Sequence, residues 1–266
     1  MNSVNAPTVD FKEQLMQLPS GSRAAAKYLA PYELPPSALI DLARHSRIRL
    51  CNRGNQISIT GRSGFVHILL EGCVAERNTE GAAVRLWRNR TAFGDSGLLE
   101  SLFSSNLGSR PKLYGEFLST GRTLCIRKER LRALALNDAS VALLLARIGM
   151  ERANVVERLY VANRKPTLAR VASLLDYLAD SHVGLRHRVD SEDGRTVVRP
   201  VRNTAIDGPT QLDIADALTL GRATVEKALA QLRKDKALVD FSPGERTNRY
   251  YEIADRHLLQ QIARGA

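Results

Sequence analysis

The residues best placed to do chemistry in this 266-residue chain are cations on a helical surface. In the stretch TQLDIADALTLGRATVEKALAQL (residues 210–232), apolar residues fall on a helical period twice, with a tight break between. The first helix, from about Thr210 to Ala217, is expected to bury Leu212, Ile214, Ala215 and Leu218. Thr210 stands as its N-cap, and Asp213 takes the third position of a capping box. The second helix, from about Arg222 to Leu232, is expected to bury Val225, Ala228, Leu229 and Leu232. Ala215 supplies the small side chain needed where two helices cross, facing Val225. Arg222, Ala223, Glu226 and Lys227 are then left on the outer face, near the start of the second helix. A helix-turn-helix lays that surface into the major groove of DNA. The competing interpretation is an αα-hairpin that only packs on a core. Thr219 stands where such turns often carry glycine, at about 1–2 kcal/mol if it must be left-handed. The glycine comes two residues later, Gly221, at the second N-cap.

Other chemistries find no footing. There is no G-x-x-x-x-G-K phosphate loop, no nucleophile elbow and no metal-type spacing of His and Cys, so an enzyme is not expected. Ser96 and Ser101 lie near a glycine-rich turn, but that turn is already accounted for by the strand-rich part of the chain. His45, His67, His182, His187 and His257 show no ligand-like grouping. Cys51, Cys73 and Cys125 are odd in number, far apart and flanked by apolar strand residues, which points to buried free thiols.

Composition bounds the class. The chain is 44% hydrophobic and 25% charged, as ordinary globular proteins are, and long enough for two domains. No apolar run nears the ~18 residues of a membrane helix. The start, MNSVNAPTVDFKEQL, lacks a charged-then-apolar leader, which points to the cytoplasm. The net charge of +11 suits a nucleic-acid partner, but it lies away from the helix-turn-helix. Residues 1–165 carry 24 Lys+Arg against 14 Asp+Glu, whereas residues from 166 onward carry 15 against 14. An anionic ligand, wrapped DNA, an acidic partner or a plain solvated surface would each account for the N-terminal excess.

The elements that must position the cations follow from periodicity. Residues 1–35 form an extension with little pattern beyond a short helix near Phe11–Leu18. Residues 37–47 predict a helix capped by Ser37. The period then drops to two in QISIT, GFVHILLEG, CVAERN, AAVRLWRN, KLYGEFLS and RTLCIRK, a pattern of short strands for an antiparallel barrel or jelly roll. ERLRAL is a short helix, and a long one is expected from about Asp138 to Arg164. Its Val141, Leu145, Ile148, Val155, Leu159 and Ala162 step by heptads, the seam of a helix pairing with its copy in a homodimer. Packing on the chain's own barrel is the alternative. Arg152 falls within that seam and needs an anionic ligand, a pairing partner or an edge position. Pro166 breaks the helix, and Thr167–Asp180 forms the next, burying Leu168, Val171, Leu174, Leu175 and Leu178. A polar stretch, His182–Asp207, precedes the helix-turn-helix. After it, ALVDFSPGERTNRYYEI forms two strands around a basic turn, and Asp255–Ala263 a last helix.

This order, an α+β chain with an N-terminal antiparallel β-roll (36–137), a long dimerisation helix (138–165) and a C-terminal winged helix-turn-helix (166–266), resembles the Crp/Fnr superfamily of bacterial transcription regulators. The resemblance covers roughly residues 37–253. It is strongest at TQLDIADALTLGRATVEKALAQLRKDKALV and at FVHILLEGCVAERNTEGAAVRLWRNRTAFGDSGLLE, which includes the family's FGD turn. It implies double-stranded DNA, a second copy of the chain and RNA polymerase as partners, and no membrane. It places Arg222 and Lys227 on base-reading positions and Thr224 on a phosphate contact. Ala223 replaces an acidic residue frequent in the family, so the half-site should differ from the best-known consensus. Thr210 and Gln211 open the first helix, where a backbone N–H meets phosphate, and Arg246, Asn248 and Arg249 hold the DNA backbone from the wing.

On the ligand side the chain departs from the family. Gly94 and Asp95 keep the phosphate turn, but the Arg-Ser pair of cyclic-AMP binders falls on Pro111-Lys112, and the adenine-facing Thr-Ser pair on Val155-Val156. Proline has no N–H to give a phosphate, and valine makes no hydrogen bond to adenine. Cyclic AMP is therefore not expected to bind in the usual way, and no iron–sulfur cysteine cluster is present. Three possibilities stand for the roll. One is a nucleotide or other anionic effector met by Arg110, Lys112 and Arg152; the others are no ligand, or a docking surface for a protein.

Overall fold

The computed structural model describes residues 11–58, 64–88, 91–93, 113–161, 164–179, 188–189, 196–197, 205–240 and 248–265. Three helices lead: α1 (Phe11–Gln17), α2 (Ser20–Leu29) and α3 (Pro36–Arg44). The second of these was not foreseen, because Ser22, Ala25 and Ala26 give little hydrophobic signal although they and Leu29 form its buried stripe. Ser37 does not cap α3. Pro35 holds that position and Pro36 opens the helix, where a missing N–H costs nothing.

The roll is two four-stranded antiparallel sheets. β1 (Ser46–Cys51), β8 (Gly121–Arg127), β3 (Phe65–Glu71) and β6 (Ala92–Phe93) make one, in that order. β2 (Gln56–Ser58), β7 (Tyr114–Phe117), β4 (Val74–Arg77) and β5 (Ala83–Trp87) make the other. β1 begins one residue before the predicted end of the preceding helix. Val66, Ile68, Leu124 and Ile126 of the first sheet join Leu29, Leu39, Leu42 and the helices that follow the roll in one core. Cys51 and Cys73 are buried free thiols, as expected, while Cys125 is only partly buried.

Beyond the roll come α4 (Lys128–Asn137) and the long helix α5 (Ala139–Val156), the latter capped by Asp138 and extended by a π-helical turn, Glu157–Val161. Accepting two hydrogen bonds from Ser140 holds the Asp138 carboxyl below its ordinary value. α6 (Thr167–Leu178) starts after Pro166, as predicted, although Leu168 is only half-buried. Two short pairs follow: β9 (Arg188–Val189) with β10 (Thr196–Val197), and β11 (Ala205–Asp207) with β12 (Tyr250–Glu252). α7 (Gln211–Ala217), α8 (Arg222–Lys234) and α9 (Arg256–Arg264) complete the C-terminal part. Among the described residues no single helix is long and apolar enough to cross a membrane.

The residues of the expected dimer seam pack largely inside the chain. Val141, Ile148 and Leu159 are buried within one chain, and Leu145 and Val155 are half-buried against the same cores. The face of α5 left to solvent lies two positions away: Ala139, Leu143, Ala146, Met150 and Ala153, again stepping by four and three. Leu143 is 69% exposed and Met150 66%. The helix carries two apolar stripes, and the bulkier one belongs to the monomer's own core. Ala162 lies outside the described residues.

Candidate nucleic-acid interface and the roll beside it

The helix-turn-helix is built by local hydrogen bonds. Thr210 N donates to Asp213 Oδ2 at 2.8 Å, and Asp213 N donates to Thr210 Oγ1 at 3.1 Å, closing the predicted capping box. Thr219 is left-handed, with φ 50°, and Leu220 N donates to Ala215 O at 2.8 Å across the turn. The strain expected at Thr219 is therefore present, and its hydroxyl donates to Leu218 O at 2.7 Å. Gly221 is the N-cap of α8 (φ −70°, ψ 143°). Val225, Ala228, Leu229 and Leu232 are buried beneath that helix, against Ile214, Ala215 and Leu218. Leu212, predicted to be buried, is 53% exposed. Asp213, Ile214, Ala215 and Ala217 are the buried residues of α7, and Leu212 falls one step off that face.

Arg222, Ala223, Thr224 and Lys227 all stand exposed on α8, and Glu226 is half-buried beside them. Arg222 Nε donates to Glu226 Oε1 at 2.9 Å, one helical turn away. Thr210 and Gln211 at the start of α7 are half-buried. In the wing, Asn248 is exposed and Arg249 half-buried, while Arg246 lies outside the described residues. Residues 241–247, which hold the predicted wing turn, lie outside the described residues; on either side of it Val239 N donates to Glu252 O at 2.8 Å. β12 pairs with β11, from the stretch read as polar, and just beyond it Ile253 forms an isolated antiparallel bridge with Leu238.

Nothing in the residue pattern announces that the helix-turn-helix docks on the roll. Arg77 of β4 donates through Nη2 to Asp213 Oδ1 at 2.8 Å, through Nη1 to Gly81 O at 3.0 Å, and through Nε to Glu116 of β7. Burial works against its charge, but the hydrogen bonds to Asp213 and Glu116 outweigh that and hold the guanidinium above its ordinary value. Asp213 thus caps α7 and ties it to the roll with the same carboxylate. Just before α7, Gly208 has φ 122°, and a Cβ there would meet the Leu118 backbone and side chain at 3.0–3.1 Å. Only glycine permits that approach. Tyr160 donates to Leu86 O at 2.7 Å, and Arg88 lies 4.7 Å from the Tyr177 ring centroid. One hydrophobic core consequently runs from Trp87 and Phe117 to Leu175, Ile214 and Leu229.

Of the predicted effector residues, Gly94, Asp95, Arg110 and Lys112 lie outside the described residues. Arg152 is described, and it turns into the roll toward Glu76. A polar residue at a buried phase of CVAERN was the available signal for Glu76. Among the described residues no group of three or more His, Cys, Asp or Glu could hold a metal ion.

No family model matches the chain, and no curated protein matches it. Solved structures do. FixK2 from Bradyrhizobium japonicum matches at 20% identity over 82% of this chain and 96% of its own, with a TM-score of 0.55. TTHB099 from Thermus thermophilus, a transcriptional regulator of the CRP family, matches at 20% identity over 82% of this chain and 97% of its own, with a TM-score of 0.55. TTHA1359 from the same organism, a CRP/FNR-family transcriptional regulator, matches at 20% identity over 82% and 98%, with a TM-score of 0.52. A roll of two antiparallel sheets, a long helix and a C-terminal helix-turn-helix, in that order, give this chain the fold of the Crp/Fnr-type transcriptional regulators.

Proposed function

We propose that the chain is a DNA-binding transcription regulator of the Crp/Fnr type, acting as a homodimer on a pseudo-palindromic site. The observation that carries this is the face of α8: Arg222, Ala223, Thr224 and Lys227 are exposed on a helix whose opposite side is buried. Arg222 offers a planar fork to guanine O6/N7, with Glu226 holding its Nε side, while Lys227 adds a mobile charge one turn on. Thr210 and Gln211, with Thr224, Asn248, Arg249 and Arg246, are assigned to the phosphates on either side. The exposed stripe Ala139–Leu143–Ala146–Met150–Ala153 supplies the dimer face, replacing the seam expected from the sequence. RNA polymerase is the downstream partner on this reading, and the cytoplasm the compartment. With Val155 and Val156, both half-buried, on the positions that the family resemblance assigns to adenine contact, cyclic AMP is not expected to bind in the usual way.

The test is selection of bound sites from random DNA by the full chain, followed by footprinting. A pseudo-palindrome with half-sites about one helical turn apart is expected. Arg222→Ala should relax its sequence, and Arg249→Ala should weaken every site alike. Leu143→Glu combined with Met150→Glu should give a monomer that no longer protects both half-sites. An asymmetric single half-site would refute the dimer, and absence of any selected sequence would refute the regulator.

A further inference from the structure

Arg152 lies in the stripe of α5 that faces the roll, and its side chain is 19% exposed. Its Nη2 stands 3.7 Å from Oε2 of Glu76, a carboxylate that is 1% exposed. Its Nη1 donates to Ala92 O at 3.3 Å. The guanidinium carbon lies 5.2 Å from the Trp87 ring centroid and 5.9 Å from that of Phe93. Trp87 Nε1 donates to Glu76 Oε2 at 2.7 Å, and Arg85 Nη1 meets Glu76 Oε1 at 3.3 Å. A buried carboxylate aimed by an indole N–H, a carbonyl acceptor and two ring faces are the parts of a receptor for a planar cation. An anion approaching here would have to compete with Glu76, which already stands against both Arg152 and Arg85.

We infer that the roll contains a guanidinium receptor whose occupant is the chain's own Arg152, a ligand tethered to α5. The fastening of the long helix to the roll then comes from within the chain rather than from a diffusible anion. An anionic effector recruiting Arg152 would first have to part it from Glu76. The inference bears on regulation only through the proposed function: a long helix fixed in this way presents the dimer face without a small molecule.

Trp87 is the only tryptophan in the chain, so its fluorescence reports on this site. In full-length Arg152→Ala, the emission of Trp87 should shift and the melting temperature fall by roughly 5–15 °C. Low-millimolar guanidinium or ethylguanidinium chloride should restore part of both changes in a saturable manner, and sodium chloride at equal ionic strength should not. Glu76→Gln added to Arg152→Ala should abolish the rescue, and the wild type should not respond. A variant with unchanged emission and melting, or one with no saturable response to guanidinium, overturns the inference. Should Arg152→Ala fail to fold, Arg152→Lys decides: it keeps the charge but not the planar fork, so intermediate melting supports a planar-cation site and wild-type melting overturns it. DNA binding is measured on the same preparations without nucleotide. Rescue with no DNA binding by the wild type would leave the tethered ligand and refute the regulator. DNA binding without rescue would refute the tethered ligand alone.

Discussion

Two arginine–glutamate pairs mark two regions of this molecule, and they are chemically the same. On α8, Arg222 and Glu226 meet at 2.9 Å with side chains 63% and 43% exposed. Inside the roll, Arg152 and Glu76 stand 3.7 Å apart with side chains 19% and 1% exposed. The shorter contact is the weaker one, because water screens it and competes for every hydrogen bond. The longer contact involves a carboxylate almost stripped of water, so removing Glu76 leaves the guanidiniums facing it without their buried counter-charge. Burial, and not distance, decides which arginine is free to meet a ligand. Arg222 needs to give up only a solvated contact to meet a ligand, whereas Arg152 would have to leave the buried carboxylate of Glu76.

The comparison breaks most sharply at Glu76. Glu76→Ala should destabilise the fold by about 3–5 kcal/mol, since Arg152, Arg85 and the Trp87 N–H all lose their acceptor. Urea unfolding followed by Trp87 emission measures it, and a loss near zero would place Glu76 with the surface pairs. A second test of burial is His67, which burial pushes down to about 4 from an ordinary 6.5, helped by the neighbouring Arg49 and Lys128 charges. The unfolded chain takes up this proton near pH 6.5, but the folded chain not until about pH 4, so stability is full above that window and falls as pH drops through it. At most about 3 kcal/mol is at stake, and His67→Gln should flatten that part of the stability–pH curve.

The exposed pair should respond in recognition rather than in folding. Arg222→Ala should leave stability within about 0.5 kcal/mol and cost about 1–3 kcal/mol of base discrimination per half-site, read by competition between selected and scrambled DNA. Smallest of all, Glu226→Gln should change stability by less than about 0.5 kcal/mol, an effect that fades further with added salt. If Glu226→Gln instead destabilised the chain as much as Glu76→Ala, burial would not be the distinction.

The capping box at Thr210 and Asp213, the left-handed Thr219 and the buried stripe of α8 were legible because each is a local rule written in consecutive residues. The strands of the roll were legible by alternation. What was hidden is mostly tertiary. The long helix carries two stripes of heptad spacing, and periodicity alone cannot say which one the monomer keeps for itself. α2 was hidden by its alanines, which bury well yet barely register as hydrophobic. Leu212 showed the reverse error, an apolar residue one step off the buried face. Glu76 and Arg77 sit side by side on β4 and point to opposite faces, one into the Arg152 site and the other to Asp213, 136 residues away. No spacing rule reaches that far.

That last contact has a consequence for how such a protein can be taken apart. With Gly208 pressed on Leu118, Arg77 bound to Asp213 and a single core crossing the junction, the helix-turn-helix is not a cassette. A graft of residues 205–265 onto another roll would arrive without Leu118, Arg77 and Tyr160, with its capping carboxylate stripped of its arginine and an apolar face uncovered. Calorimetry should show one heat-absorption peak for the intact chain rather than two. Exchange of specificity between relatives of this fold would then proceed by changing side chains along α8, not by shuffling whole domains.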